Sequence, residues 1–165
     1  MKKSVMILLM SFCCVFSAYT QSTNECAEKA GDLYNVKNTV TKFWSVYDSN
    51  GEKVIPSSRV EKKVGDWYNV KNTVTGFWSV YDSNGEKIIS SARVEKKVGD
   101  LYNVKNTVTG FWSVYDGNGE MIIPSSRAEK KVGDWYNVKN TVTGFWSVYN
   151  SNGQKIMSGQ AKAFK

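Results

Sequence analysis

The stretch Phe77-Trp78-Ser79-Val80-Tyr81-Asp82-Ser83-Asn84-Gly85-Glu86-Lys87-Ile88-Ile89-Ser90 decides the fold. Its first half alternates with the period of a strand, and Glu86 to Ser90 read as the returning strand. Between them Ser83-Asn84-Gly85 supplies a hairpin turn, because Asn-Gly tolerates the positive φ that tight hairpins demand. Upstream, Trp67-Tyr68-Asn69-Val70-Lys71 is another short alternating run, joined through the turn-bearing Thr73-Val74-Thr75-Gly76. Three antiparallel strands per unit are therefore expected. Downstream, Arg93-Val94-Glu95-Lys96-Lys97-Val98 reads either as a fourth, edge strand or as a connector.

The unit recurs with a period of 34: Trp44, Trp78, Trp112 and Trp146 are evenly spaced. The units run 31–64, 65–98, 99–132 and 133–165, and the second and third agree at about 28 of 34 positions. A longer rhythm, Leu33, Trp67, Leu101, Trp135 together with Pro56, Ser90, Pro124, Ser158, indicates duplication of a 68-residue pair. Residues 21–30 form a leader whose Ala27-Glu28-Lys29-Ala30 echoes Val60-Glu61-Lys62-Lys63-Val64.

Alternation places Tyr68, Val70, Trp78, Val80 and Ile88 among one set of positions and Trp67, Phe77, Tyr81 and Ile89 among the other. A sheet apolar on both sides needs a neighbour on both sides. The fold class that follows is all-β: four tandem 34-residue, three-stranded antiparallel units stacked as an open, solenoid-like array, with a small propeller-like ring as the alternative. Each unit then depends on its interfaces with the next, and the fourth, with Asn150, Gln154 and Ser158-Gly159-Gln160, suits a polar cap.

Composition narrows the function. The 165 residues are 41% hydrophobic, 13% aromatic and 22% charged, which excludes a disordered tail, collagen and a polytopic membrane protein. There is no His, so the commonest general base and metal ligand are both missing. Lys2 and Lys3, followed by the apolar run Val5 to Phe16, read as an export signal covering residues 1–20, with Ala18-Tyr19-Thr20 before Gln21 as the cleavage point. Cys13 and Cys14 lie at the depth of a lipidation site, but bulky Phe12 precedes Cys13 where a small residue is needed. Removing the signal takes two lysines and no acid, lowering the formal charge from +7 to +5, and leaves no transmembrane segment. Cys26 alone then remains, so no internal disulfide forms; it either links two chains or serves as a small apolar residue.

Leu33-Tyr34-Asn35-Val36-Lys37-Asn38, followed by Phe43-Trp44-Ser45-Val46-Tyr47-Asp48-Ser49-Asn50-Gly51-Glu52-Lys53-Val54-Ile55-Pro56, resembles the WG (KWG) repeat of bacterial proteins. The likeness returns at Trp78, Asp82 and Gly85, at Trp112, Asp116 and Gly119, and at Trp146 and Gly153, and spans about 80% of the chain. It departs where Ser45, Ser79, Ser113 and Ser147 replace the family's Gly, and in a first hairpin loop about two residues longer. A weaker likeness is to MORN-type hairpin repeats. The WG resemblance implies arrays of β-hairpins, often exported, with roles in binding. The location expected is periplasmic, outer-surface or secreted in a bacterium.

Catalysis has little material here. With no His, Cys pair or Gly-x-Ser-x-Gly, nucleophilic triads and zinc sites are excluded, and neither a catalytic residue, a metal site nor a cofactor is expected. Asp82 and Glu86 flank a turn, where Asp accepts backbone N–H bonds and Glu is solvated. Asp48-Ser49-Asn50-Gly51-Glu52 resembles part of a calcium loop, yet the fourth copy, Asn150-Ser151-Asn152-Gly153-Gln154, carries no charge.

Two surfaces are candidates for binding. Trp67 and Trp135 exchange with Leu33 and Leu101, which suggests rim positions from which aromatic platforms meet a flat ligand such as a sugar ring. Arg59, Lys62 and Lys63 recur as Arg93, Lys96 and Lys97 and as Arg127, Lys130 and Lys131, so stacking aligns them into a basic stripe, or an edge that discourages sheets from joining. Nucleic acid is not the expected partner, because export separates the two and acids interleave with the lysines. The function expected is non-enzymatic: a repetitive surface for a protein or cell-envelope polymer. The alternative is a carbohydrate-binding module built on Trp67 and Trp135.

Overall fold

The computed structural model describes residues 26–159. The export signal, the lipidation reading, the cleavage point and the Cys26 side chain lie outside the described residues. Among the described residues the chain forms sixteen strands and no helix. The first sheet contains β1 (Cys26–Ala30), β2 (Leu33–Lys37), β3 (Trp44–Tyr47) and β4 (Lys53–Ile55). The second contains β5 (Ser58–Val64), β6 (Trp67–Asn72), β7 (Trp78–Tyr81) and β8 (Lys87–Ser90). The third contains β9 (Ala92–Val98), β10 (Leu101–Asn106), β11 (Trp112–Tyr115) and β12 (Met121–Pro124). The fourth contains β13 (Ser126–Val132), β14 (Trp135–Asn140), β15 (Trp146–Tyr149) and β16 (Lys155–Ser158). Each sheet is an antiparallel meander in sequence order, and none closes into a barrel.

The expectation of three strands per unit is corrected to four. The charged segment pairs with the strand that follows it across a two-residue Gly-Asp turn, with Val64 opposite Trp67 and Lys63 opposite Tyr68. Gly65 supplies the positive φ of 62° that closes this turn. Each basic segment thus opens the next sheet, and the end of the leader, as β1, does the same for the first. Phe77, expected at the start of a strand, lies just before β7.

Consecutive sheets meet at three cores. In the first, Leu33, Val46 and Ile55 from one sheet face Val60, Tyr68 and Val70 from the next. The second joins Trp67 and Val80 to Ala92, Val94, Tyr102 and Val104, and the third joins Leu101, Val114 and Ile123 to Ala128, Tyr136 and Val138. Neighbours along one strand, such as Trp67 and Tyr68, therefore belong to different cores, as side-chain alternation requires of a sheet covered on both faces. One or two residues connect successive sheets, and Ser57, Ser91 and Ser125 take left-handed φ values of 50–53° there.

Candidate functional site

The basic segments sit at the seams between sheets. A bulge between Val60 and Lys62 leaves Val60 on the open edge of β5, facing the previous sheet. There Asn35 Nδ2 donates to the Val60 carbonyl at 2.8 Å, and Val60 N–H donates to Asn35 Oδ1 at 2.7 Å. Asn69 holds Val94, and Asn103 holds Ala128, in the same two-bond manner. A primary amide carries one donor and one acceptor side by side, which is the pattern an open strand edge presents.

The flanking cations are committed to the same seams. Arg59, Arg93 and Arg127 lie over Trp44, Trp78 and Trp112 of the preceding sheet, 4.5–4.8 Å from the ring centroids. Lys63, Lys97 and Lys131 donate to Asp32, Asp66 and Asp100 at 2.6–2.9 Å. The same carboxylates accept from the hydroxyls of Tyr68, Tyr102 and Tyr136. Donation from lysine and then from tyrosine holds all three carboxyls below the usual carboxylate range. Of the nine cations in the expected stripe, Lys62, Lys96 and Lys130 are exposed and have no side-chain partner among the described residues. The stripe is thus one free lysine per seam.

The two candidate platforms separate. Trp67 is only 3% exposed and stacks on Tyr102 of the next sheet with centroids 3.9 Å apart, so its expected rim position is corrected to the core. Trp135, 42% exposed, stands on the last described sheet, where no further sheet among the described residues covers it.

One repeated surface was not anticipated from the sequence. Val40, Val74, Val108 and Val142 are 63–74% exposed, and Phe43, Phe77, Phe111 and Phe145 are 55–72% exposed. They project from the loops joining the second and third strands of the sheets. These loops are tightly built: Asn72 Oδ1 accepts the N–H groups of Val74 and Thr75, and Asn72 N–H donates to the Phe77 carbonyl. Thr73 N–H also donates to the Ser57 carbonyl between sheets. With the loop backbone satisfied and its middle left-handed at Gly76, the Val and Phe side chains are held outward. Beside each Phe, a Lys from the preceding strand lies over the Trp that follows it, as Lys71 does over Trp78 at 5.7 Å. The readable signal was the Asn-Thr-Val-Thr-Gly run, an Asx turn that withdraws Phe from the strand's alternation.

The acidic turns are structural. Asp82 Oδ1 accepts the N–H groups of Asn84 and Glu86 at 2.9 and 2.8 Å, and Asp48 and Asp116 repeat the arrangement. No protein-family model matches the chain, and no curated protein matches it.

Proposed function

We propose that this is an exported, non-enzymatic protein of WG-like repeats, stacked as an open array, whose repeated loop edge binds a protein or cell-envelope polymer. The single observation carrying this reading is the recurrence of an outward Val and Phe, beside a lysine, in all four sheets. Leaving eight apolar side chains in water is unfavourable, and soluble proteins rarely repeat such a patch without a partner to cover it. Rigid loops make the surface preorganised, so binding loses little conformational freedom. The lysines and the net charge of +5 on the exported form favour a partner that is acidic as well as apolar.

The test replaces Phe43, Phe77, Phe111 and Phe145 by Ser in the exported form, Gln21 to Lys165, and compares capture from an envelope extract. Loss of one specific partner with an unchanged near-ultraviolet dichroism spectrum is expected. Capture that survives all four substitutions would remove the reading. The glycan alternative now rests on Trp135 alone, and its signature is quenching of indole fluorescence by a glycan that Trp135→Ala abolishes.

A further inference from the structure

The edge that carries the Val and Phe loops is also the edge from which acidic residues are missing. We propose that it lies on an anionic lipid surface, with the Val and Phe side chains entering the boundary between headgroups and acyl chains; this rests on the loop-edge reading and names the partner of that same surface.

A four-stranded meander has two ends. One end of each sheet carries the loop between its second and third strands and the connection to the neighbouring sheet. The other end carries the Gly-Asp turn and the turn between the third and fourth strands. The carboxylates are sorted to this second end: Asp32, Asp66, Asp100 and Asp134 lie in the Gly-Asp turns, and Asp82 and Glu86, with their repeats, flank the other turn. The loops and their flanks, residues 37–44, 71–78, 105–112 and 139–146, contain no Asp or Glu. Nor do the connecting segments 55–59, 89–93 and 123–127. The arginines of those connectors each have a glutamate within 3.7 Å, so they add little uncompensated charge. Lys37, Lys71, Lys105 and Lys139 do add it: they stand at the loop ends of their strands and pair with no carboxylate among the described residues. Exposed Lys42 adds a fifth cation to the first loop.

Exposure falls in steps behind the loop tips. In the second sheet Val74 and Phe77 are 63% and 64% exposed, Trp78 is half-buried with Lys71 over its ring at 5.7 Å, and Val70 and Val80 are buried. Apolar tips, then an indole with a cation, then a closed core is the order that a bilayer interface accepts: acyl boundary, headgroup layer, water. The tips also form a row. Thr73, Thr107 and Thr141 each donate a backbone N–H to the connector before their own sheet, at Ser57, Ser91 and Ser125. Three of the four loops are thereby tied in place, at the sheet spacing of about 10 Å. A protein would need a groove cut to this row of knobs, whereas a fluid bilayer conforms to it. A second copy of the chain is the poorer occupant, because two such edges would set lysines against lysines with no acid between them. An anionic lipid surface supplies both the apolar layer and the countercharge.

Flotation of the exported form, Gln21 to Lys165, with lipid vesicles tests the proposal. Vesicles of phosphatidylglycerol mixed with phosphatidylcholine should carry the protein upward, and vesicles of phosphatidylcholine alone should bind it about tenfold more weakly or less. Replacing Phe77 and Phe111 together by Ser should lower binding to the mixed vesicles about tenfold or more. Lys71→Glu combined with Lys105→Glu should do the same on the mixed vesicles and change little on the neutral ones. Lipids brominated on their acyl chains should quench the indole fluorescence of the wild-type protein, a readout that needs no variant. Protein that stays at the bottom of the gradient with both kinds of vesicle overturns the proposal, as does binding that survives the paired Phe replacement. Binding to soluble polyglutamate as tight as binding to the mixed vesicles also overturns it, by making the edge an anion site with no use for its apolar tips. The vesicles contain neither protein nor polymer, so the two experiments fail separately. A wild type that ignores vesicles but loses an envelope protein when its four Phe are replaced strikes the lipid and keeps the loop edge; indifference in both strikes both.

Discussion

The side-chain amide of Asn69 spans both backbone hydrogen-bonding groups of Val94, accepting from its N–H and donating to its carbonyl, each at 2.7 Å. Two residues 25 apart thereby tie the interior of one sheet to the edge of the next. Both backbone groups are buried, so removing the amide leaves two unsatisfied polar groups at once. Asn69→Ala should lower the unfolding free energy by about 2–4 kcal/mol. Asn137, which clamps no strand among the described residues, provides the contrast: Asn137→Ala should change stability of the monomer by about 1 kcal/mol or less. Urea titration of the two variants measures the difference, and equal losses would mean that the clamp is not what holds the seam.

Acid should loosen the seams. Asp32, Asp66 and Asp100 titrate below their ordinary value in the folded chain because lysine and tyrosine donate to them. A carboxyl whose folded pKa lies below the unfolded one contributes stability above the unfolded value, about 3.9, and loses it as the pH falls through the folded value. The melting temperature should therefore decline as the pH is lowered from about 5 toward 3. Replacing all three aspartates by Asn should lower the neutral-pH melting temperature and flatten this part of the profile. A triple variant that retains the full acid dependence assigns the effect to other groups.

The turns at Gly99 and Gly133 have the same φ of 57°, yet they differ in their surroundings. A methyl group on Gly99 would collide with Lys131 Cδ and lie 2.8 Å from the Tyr136 hydroxyl, whereas one on Gly133 meets no described atom within 4 Å. Both Ala substitutions incur the left-handed penalty of about 1–2 kcal/mol. Only Gly99→Ala must also displace a buried tyrosine that bonds to Asp100. It should be the more destabilising variant, with weakened Tyr136 burial detectable as a change in near-ultraviolet dichroism. Equal melting temperatures would show that the seam yields without cost.

The period, the all-β class, the antiparallel hairpins and the need for neighbours on both faces were all legible in the sequence, because each depends on local alternation or turn chemistry. The fourth strand was readable in principle from Val64-Gly65-Asp66-Trp67, since Gly-Asp is a two-residue hairpin turn. The repeat frame, cut at that glycine, concealed it. Burial of Trp67 was not legible: its partner Tyr102 lies one repeat away, and exchange with leucine suits a large core position as well as a rim. Nor was the division of the basic residues, because Arg93 and Lys97 are engaged by Trp78 and Asp66 across a seam while Lys96 between them is not.

Lys42 holds the left-handed position, φ 64°, that Gly76, Gly110 and Gly144 occupy in the other three loops. A side chain there strains the backbone, while glycine relieves it at the expense of a more disordered unfolded chain. The strain is the larger effect, so Lys42→Gly should stabilise the protein by about 0.5–1 kcal/mol. The substitution leaves Phe43 and its hydrogen bond to Asn38 in place, so partner capture through the loop edge should be retained. A melting temperature that falls would mean that Lys42 contributes a contact outweighing its strain.

Cooperation between sheets sets the smallest foldable piece. In the second sheet, Val60, Tyr68 and Val70 are buried by the first sheet, while Trp67 and Val80 are buried by the third. Cut out as residues 58–90, this sheet exposes both groups, and a lone small sheet lacks the burial to offset backbone ordering. Its backbone amides should exchange at nearly unstructured rates. Residues 58–124 restore the core shared by the second and third sheets, including the Trp67–Tyr102 stack and the Asn69–Val94 clamp, and should recover protection there first. In the whole chain, protection at Val80 and Val104 should exceed that in the outermost strands, as nearest-neighbour stabilisation of a repeat array requires. Hydrogen exchange read by mass spectrometry on the two fragments and the whole chain tests this order, and strong protection in 58–90 alone would show that a sheet holds itself without its neighbours.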